Sequence, residues 1–322
     1  MNQSVINVSE LHCSYGGFEA VRGVGFDVGP GELFALLGTN GAGKTTTMET
    51  IEGHRAPTGG KVRVFGMDPM RDRARVRPRV GIMLQHSGFA GDLTVAETVR
   101  LWQSMVSRPS AVDPALEALG LKHRRNVRVK QLSGGERRRL DLVLATLGNP
   151  EVLFLDEPTT GLDPESRKAT WEIVRNLLEA GTTVLLTTHY LEEAERLAHR
   201  LAIMHDGRIA VSGSLTDVLA TQRARIEFEL PEDAGKLPDL AGEIRGEASG
   251  RIEVRTDRLQ HDLHAVLAWA RERDVRLSRL RAQHASLDDV FHAVQQGDHQ
   301  QDSSQQGDHA DIEHETRKAV AG

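Results

Sequence analysis

The stretch Gly38-Thr39-Asn40-Gly41-Ala42-Gly43-Lys44-Thr45 constrains this chain more than any other, because it fits G-x-x-x-x-G-K-[ST] without a mismatch. The apolar run Leu33 to Leu37 leads into it, and a helix-like stretch from Thr45 through Thr46 to Glu52 follows. The order is therefore strand, glycine-rich loop, helix. The glycines let successive backbone N–H groups turn inward as an anion nest, and the following helix points its positive dipole end at the same place. In such a loop Lys44 neutralises the β- and γ-phosphates of a nucleotide. Thr45 offers its hydroxyl to Mg²⁺, which prefers hard oxygen ligands.

A second apolar run, Val152-Leu153-Phe154-Leu155, ends in Asp156-Glu157, the arrangement known as Walker B. Alternation along a strand sends the two acids in different directions. Asp156 is then placed to hold the magnesium shell, and Glu157, at the strand end, to polarise an attacking water. Between the two motifs lies Leu132-Ser133-Gly134-Gly135-Glu136. Its chemistry also suits phosphate, since Ser133 supplies a hydroxyl, the glycines expose amides, and the stretch Arg137 to Ala145 would present a helix N-terminus.

With this third motif the sequence resembles the ABC (ATP-binding cassette) ATPase superfamily and departs from other P-loop proteins. The resemblance covers about residues 4–220. It implies ATP and Mg²⁺ as cofactors. It also implies a homodimer of ATPase subunits in the ATP-bound state, in which Ser133, Gly134, Gly135 and Glu136 contact ATP held by the opposite copy. In family order, Tyr15 matches the aromatic that stacks on adenine, and Gln85 the glutamine that touches the magnesium and water cluster. Asp163 matches the D-loop that reaches across the dimer, and His189 the switch histidine at the γ-phosphate. The phrases Leu155 to Arg167, Ser133 to Asp141 and Ala285 to Phe291 look like the daunorubicin-resistance group of exporter ATPases. That likeness implies efflux of drugs, antibiotics or lipophilic compounds through a separate integral membrane permease, with this chain peripheral on the cytoplasmic face of the membrane.

The rest of the chain narrows the alternatives. With 322 residues and 39% apolar content, one large domain and a smaller one are expected. The net charge of −6 gives no global basic field, so no nucleic-acid partner is expected. The single cysteine, Cys13, rules out an intramolecular disulfide framework and fits a reducing compartment. No apolar run approaches the roughly 20 residues of a membrane-spanning helix, and the amino terminus carries no pattern of a secretory signal. A transport role then requires another chain to form the pore. An importer subunit, a non-transport ABC protein and a nucleotide sensor without turnover are the competing readings. The long inserts and second cassette of DNA- or ribosome-acting members are missing from the sequence, and the intact Glu157 disfavours a sensor.

The expected fold is an α/β P-loop NTPase of the ABC ATPase kind, with an antiparallel edge sheet, a helical insert, a small α+β C-terminal domain and a disordered tail. Alternating patterns at residues 4–11 and 18–28 around Gly16-Gly17 predict the edge strands. Leu101, Met105, Leu116, Leu119 and Leu121 give helical spacing to the insert at about 92–140, interrupted by Pro109 and Pro114. The ATP-binding domain is expected over 1–221 and the small domain over 222–294. The polar stretch 295–322, where Gln-Gln-Gly-Asp-His occurs twice, lacks the apolar content to offset the entropy of ordering.

Overall fold

Strands β1 (Ile6–Tyr15) and β2 (Phe18–Val28) pair antiparallel around the Gly16-Gly17 turn, with Tyr15 opposite Phe18. Gly16 adopts a φ of 59°, the left-handed conformation that a tight turn asks of glycine. A computed structural model of the chain describes residues 4–85, 88, 90–231, 234–246 and 250–296. After β3 (Leu33–Gly38) and α1 (Lys44–Ile51), β4 (Gly59–Val64) returns to β1 and completes a three-stranded sheet in the order β2-β1-β4. The sequence pattern did not announce β4, which opens on two glycines and alternates only over its last residues.

The short α2 (Arg73–Val76) leads to β5 (Val80–Met83), and the insert follows as α3 (Val95–Gln103) and α4 (Val112–Ala118). Pro114 does not interrupt a helix. It occupies the first turn of α4, where a missing N–H has no partner to lose. Helix α5 (Gly134–Thr146) runs back to β6 (Val152–Asp156). There follow α6 (Pro164–Glu179), β7 (Thr183–Thr188), α7 (Leu191–Leu197), β8 (Arg200–His205) and β9 (Arg208–Ser214).

These strands form a six-stranded sheet in the order β5-β6-β7-β3-β8-β9, parallel except for β9. Every residue of β3, β6 and β7 is buried, as expected for central strands covered on both faces. Phe34 stacks on Phe26 with ring centroids 4.8 Å apart, tying β3 to the edge sheet, and Met48 of α1 joins the same core. The parallel register sets Asp156 opposite Thr187 and Leu36 opposite Thr187 on the other side. The loops leaving β3, β5, β6 and β7 consequently start from the same edge of one sheet, the edge where α/β sheets bind ligands.

The chain divides into two compact units between Leu215 and Thr216, within the first turn of α8 (Leu215–Leu219). The second unit contains β10 (Ala224–Glu229), β11 (Glu243–Gly246), β12 (Arg251–Thr256), α9 (Leu259–Glu272) and β13 (Ser278–Gln283), with sheet order β11-β12-β10-β13. Ile226, Phe228, Val254 and Val266 make its core. Residues 287–296 are helical, so the ordered chain continues through Gln295 and Gln296, which composition had assigned to the disordered tail. The remainder of that stretch, 297–322, lies outside the described residues.

Candidate functional site

The loop between β3 and α1 is shaped by its glycines. Gly41 and Gly43 have φ of 86° and 97°. A Cβ on Gly43 would lie 2.5 Å from the carbonyl oxygen of Ala20, and one on Gly38 would lie 2.7 Å from that of Met204. Only glycine fits these two positions. Ala42 N–H closes the loop onto the Thr39 carbonyl at 3.2 Å, with Asn40 and Gly41 between them. Lys44 is 5% exposed and curls back over the loop, its Nζ donating to the carbonyls of Gly38 (2.9 Å) and Thr39 (3.1 Å).

Four strand ends meet around Glu157. Its Oε1 lies 3.6 Å from Lys44 Nζ, and its Oε2 accepts from Gln85 Nε2 at 3.3 Å and from Thr160 Oγ1 at 3.0 Å. His189 Nδ1 approaches the same Oε2 to 3.2 Å, but off the line of a hydrogen bond, so this approach is an electrostatic contact. Burial opposes the charge on Glu157, yet the Thr160 hydroxyl, Lys44 and His189 outweigh it and hold the carboxyl below its usual range. At Asp156 burial wins and pushes the carboxyl up, against the hydroxyls of Thr187 and Thr45 that bond to it. One strand thus ends in two carboxylates whose proton affinities are moved in opposite directions, a pattern found at reactive sites.

Glu157 has a φ of 46°, a left-handed conformation that costs a non-glycine residue about 1–3 kcal/mol unless its surroundings impose it. Thr187 is one of the surroundings that do so. Its backbone carbonyl and its Oγ1 each accept from Glu157 N–H at 3.1 Å, and the same hydroxyl donates to Asp156 Oδ1. Nothing in the local pattern marks this role, since Thr187 is one of several threonines in its strand.

The other expected site residues lie apart from this cluster by their bonding. Ser133 caps α5, its Oγ accepting from Glu136 N–H at 3.2 Å, while Glu136 Oε2 accepts from Ser133 N–H at 2.9 Å. Glu136 also receives Arg124 Nε at 2.5 Å. Ser133 and Gly134 are exposed, whereas Gly135 packs where a Cβ would meet Ser166 Oγ at 2.5 Å. Asp163 caps α6, its Oδ1 accepting from Glu165 N–H (3.1 Å) and Ser166 N–H (2.9 Å). Tyr15 is 44% exposed, its hydroxyl 3.2 Å from Thr46 Oγ1, with the Arg55 guanidinium 4.0 Å above its ring centroid.

The donors at the cluster fit magnesium. Thr45, Asp156 and Gln85 offer hard oxygens, few enough that a bound ion would keep waters and phosphate oxygens in its shell. Among the described residues no group of three or more His, Cys, Asp or Glu forms an all-protein metal cage.

The chain is 40% identical over 302 residues to Nod factor export ATP-binding protein I of Paraburkholderia xenovorans, covering 90% of this chain and 97% of that protein. The chain belongs to the ABC transporter ATP-binding family. The sequence model of the ABC transporter family matches residues 21–160, and that of the ABC transporter domain-containing protein-like C-terminal domain matches residues 224–286. A daunorubicin resistance ATP-binding protein of Streptomyces coeruleorubidus is 40% identical over 243 residues, covering 74% of this chain and 77% of that one. Among solved structures, an ATP-binding subunit of an ABC transporter superposes with a TM-score of 0.62 at 29% identity, covering 68% of this chain and 93% of that chain. A bacterial ABC transporter cassette described as dimeric gives 0.60 at 25% identity, with 65% and 98% covered. The α/β P-loop architecture expected from the sequence is the ABC ATPase fold. No helix among the described residues is long and apolar enough to cross a membrane.

Proposed function

We propose that this chain is the ATP-hydrolysing subunit of an exporter, turning over Mg-ATP at the Glu157 cluster and driving efflux of a drug-like or lipophilic compound through a separate membrane subunit. The observation that carries the hydrolytic reading is the convergence of Lys44, Gln85 and His189 on one ionised carboxylate, Glu157, beside the glycine cradle. Lys44 and the loop amides would bind the phosphates. Glu157 Oε would accept the proton of the attacking water, with His189 and Gln85 fixing the carboxylate. Thr45, Asp156 and Gln85 would hold magnesium, which when bound supplies charge neutralisation. Arg55 covers one face of Tyr15, so a stacking adenine is limited to the other.

The export direction is supported by the names of the relatives, Nod factor export and daunorubicin resistance. Two copies would close on ATP, with Ser133 to Glu136 and Asp163 facing the partner's nucleotide. Such a subunit would sit peripherally on the cytoplasmic face, beneath its permease. The test is phosphate release by the purified chain with and without Mg²⁺, then efflux of a lipophilic cationic dye from cells co-expressing a membrane protein encoded beside it. Magnesium-dependent release together with faster efflux is expected. Dye uptake instead of efflux would overturn the export reading, and absence of release in both settings would overturn the hydrolytic one.

A further inference from the structure

Arg138 lies one turn into α5, 8% exposed, and each of its three guanidinium nitrogens is committed to main-chain oxygen. Nε donates to Pro158 O (2.7 Å), and Nη1 to Leu84 O (3.0 Å) and Gln85 O (3.1 Å). Nη2 donates to Asp156 O (2.9 Å) and Glu157 O (2.7 Å). Five carbonyls thus meet the five N–H bonds of one guanidinium. Three of the carbonyls belong to consecutive residues, 156 to 158, centred on the left-handed Glu157. The two others belong to Gln85, whose side chain bonds to Glu157, and to the residue before it. Asp141, one turn further along α5, places Oδ2 3.7 Å from Arg138 Nη1 and offsets the buried charge.

We infer that Arg138 is a positioning residue for hydrolysis: it holds Glu157 and Gln85 in reacting geometry through their backbone carbonyls and locks both to the helix that Ser133 caps. The physical case rests on what the fork does that no other side chain can. A planar, permanently charged group with fixed donor directions imposes the relative placement of two loops, and a lysine, with three donors on a flexible stem, cannot span the same set. Without it, the left-handed Glu157 keeps its N–H bonds to Thr187 and the Thr160 N–H bond to its carbonyl (3.3 Å), and the carbonyls of Leu84, Gln85, Asp156, Glu157 and Pro158 all lose their charged donor. Reacting groups displaced by about 1 Å can lose on the order of 10²-fold in rate while substrate binding persists.

The inference rests on Glu157 being the base, and the experiment separates the two. Arg138→Gln, Arg138→Lys and Glu157→Gln, with the double variants, are compared by single-turnover phosphate release, by KM, and by Mg-ADP binding on the full chain. Arg138→Gln and Arg138→Lys are expected to lower kcat by roughly 10- to 100-fold with KM and Mg-ADP affinity within about threefold of wild type. In the Glu157→Gln background, Arg138→Gln should cost less than about threefold more, since it acts through a group already removed. Full additivity, wild-type turnover in Arg138→Lys, or equal losses in kcat and nucleotide binding would overturn the positioning role. Failure of both Arg138 variants to fold would make the residue structural and overturn it equally. Wild-type turnover in Glu157→Gln alone would instead remove the base on which the inference stands.

Discussion

Lys44 and Glu157 form a buried ion pair, Nζ to Oε1 3.6 Å, with each side chain less than a tenth exposed. Burial lowers the Lys44 pKa, while the charges of Glu157 and Asp156 act the other way and favour the protonated amine. The same carboxylate opposes any anion that approaches Lys44. Glu157→Gln is therefore expected to bind Mg-ATP at least as tightly as wild type while turnover falls about 100-fold or more. Equilibrium nucleotide binding beside steady-state phosphate release checks both halves, and weaker binding would show that the pair aids the phosphate cradle instead of competing with it.

The cradle itself makes a prediction that separates strain from crowding. Gly41 and Gly43 share positive φ, but a Cβ on Gly41 meets nothing within 4 Å whereas one on Gly43 runs into the Ala20 carbonyl. Gly41→Ala should cost about 1 kcal/mol through backbone strain alone, and Gly43→Ala visibly more, with loss of nucleotide binding. Thermal melts of the two variants, with and without Mg-ATP, make the comparison. Equal melting temperatures would mean that β2 yields to the added methyl.

How much of this was legible in the sequence depends on where each interaction is made. Lys44, Thr45, Asp156 and Glu157 stood out because a local strand–loop–helix pattern carries their chemistry. Arg138 did not, because Arg137-Arg138-Arg139 reads as a charge run on a helix, and only tertiary packing selects the middle one for burial while leaving Arg137 exposed. Thr187 likewise acts through register: it serves Asp156 and Glu157 because β7 is set beside β6. Strands β11 and β13 escaped notice for a related reason, since every residue on them is exposed and no apolar face marks their period.

Ser133 performs two jobs that substitution can divide. As the N-cap of α5 its hydroxyl satisfies one orphan amide, and as an exposed residue it is available to a second copy. Ser133→Ala removes the cap at a cost of about 1 kcal/mol and should leave monomer ATP binding intact. Ser133→Arg should show the same modest loss of stability and also abolish hydrolysis, because a long cation would block closure onto the partner's nucleotide. Parallel loss of binding and turnover in the arginine variant would place Ser133 in the same-chain pocket and defeat the dimeric arrangement.

A pH dependence is built in at Glu52, just past α1. The residue is 5% exposed, Oε2 lies 3.0 Å from His54 Nδ1, and Oε1 has no hydrogen-bond partner among the described residues. Arg77 donates to His54 Nε2 at 2.7 Å, so the neutral imidazole presents its Nδ1–H to the carboxyl. Burial, followed by the charges of Asp156 and Glu49, pushes the Glu52 pKa up to about 8. The ordinary carboxylate value is about 4.3. Between those values the folded protein holds a proton that the unfolded chain has released, so the folded state binds more protons and its stability falls as pH rises. Below the lower value and above the upper one this group contributes no slope. Glu52→Gln, neutral at every pH, lacks the slope altogether. Its melting temperature should match wild type near pH 5 and exceed it by several degrees at pH 8, the gap widening steadily in between. Paired melts across that range test the sign directly, because every other titrating group is common to both proteins. A gap that stays constant with pH would mean Glu52 ionises normally in the folded chain.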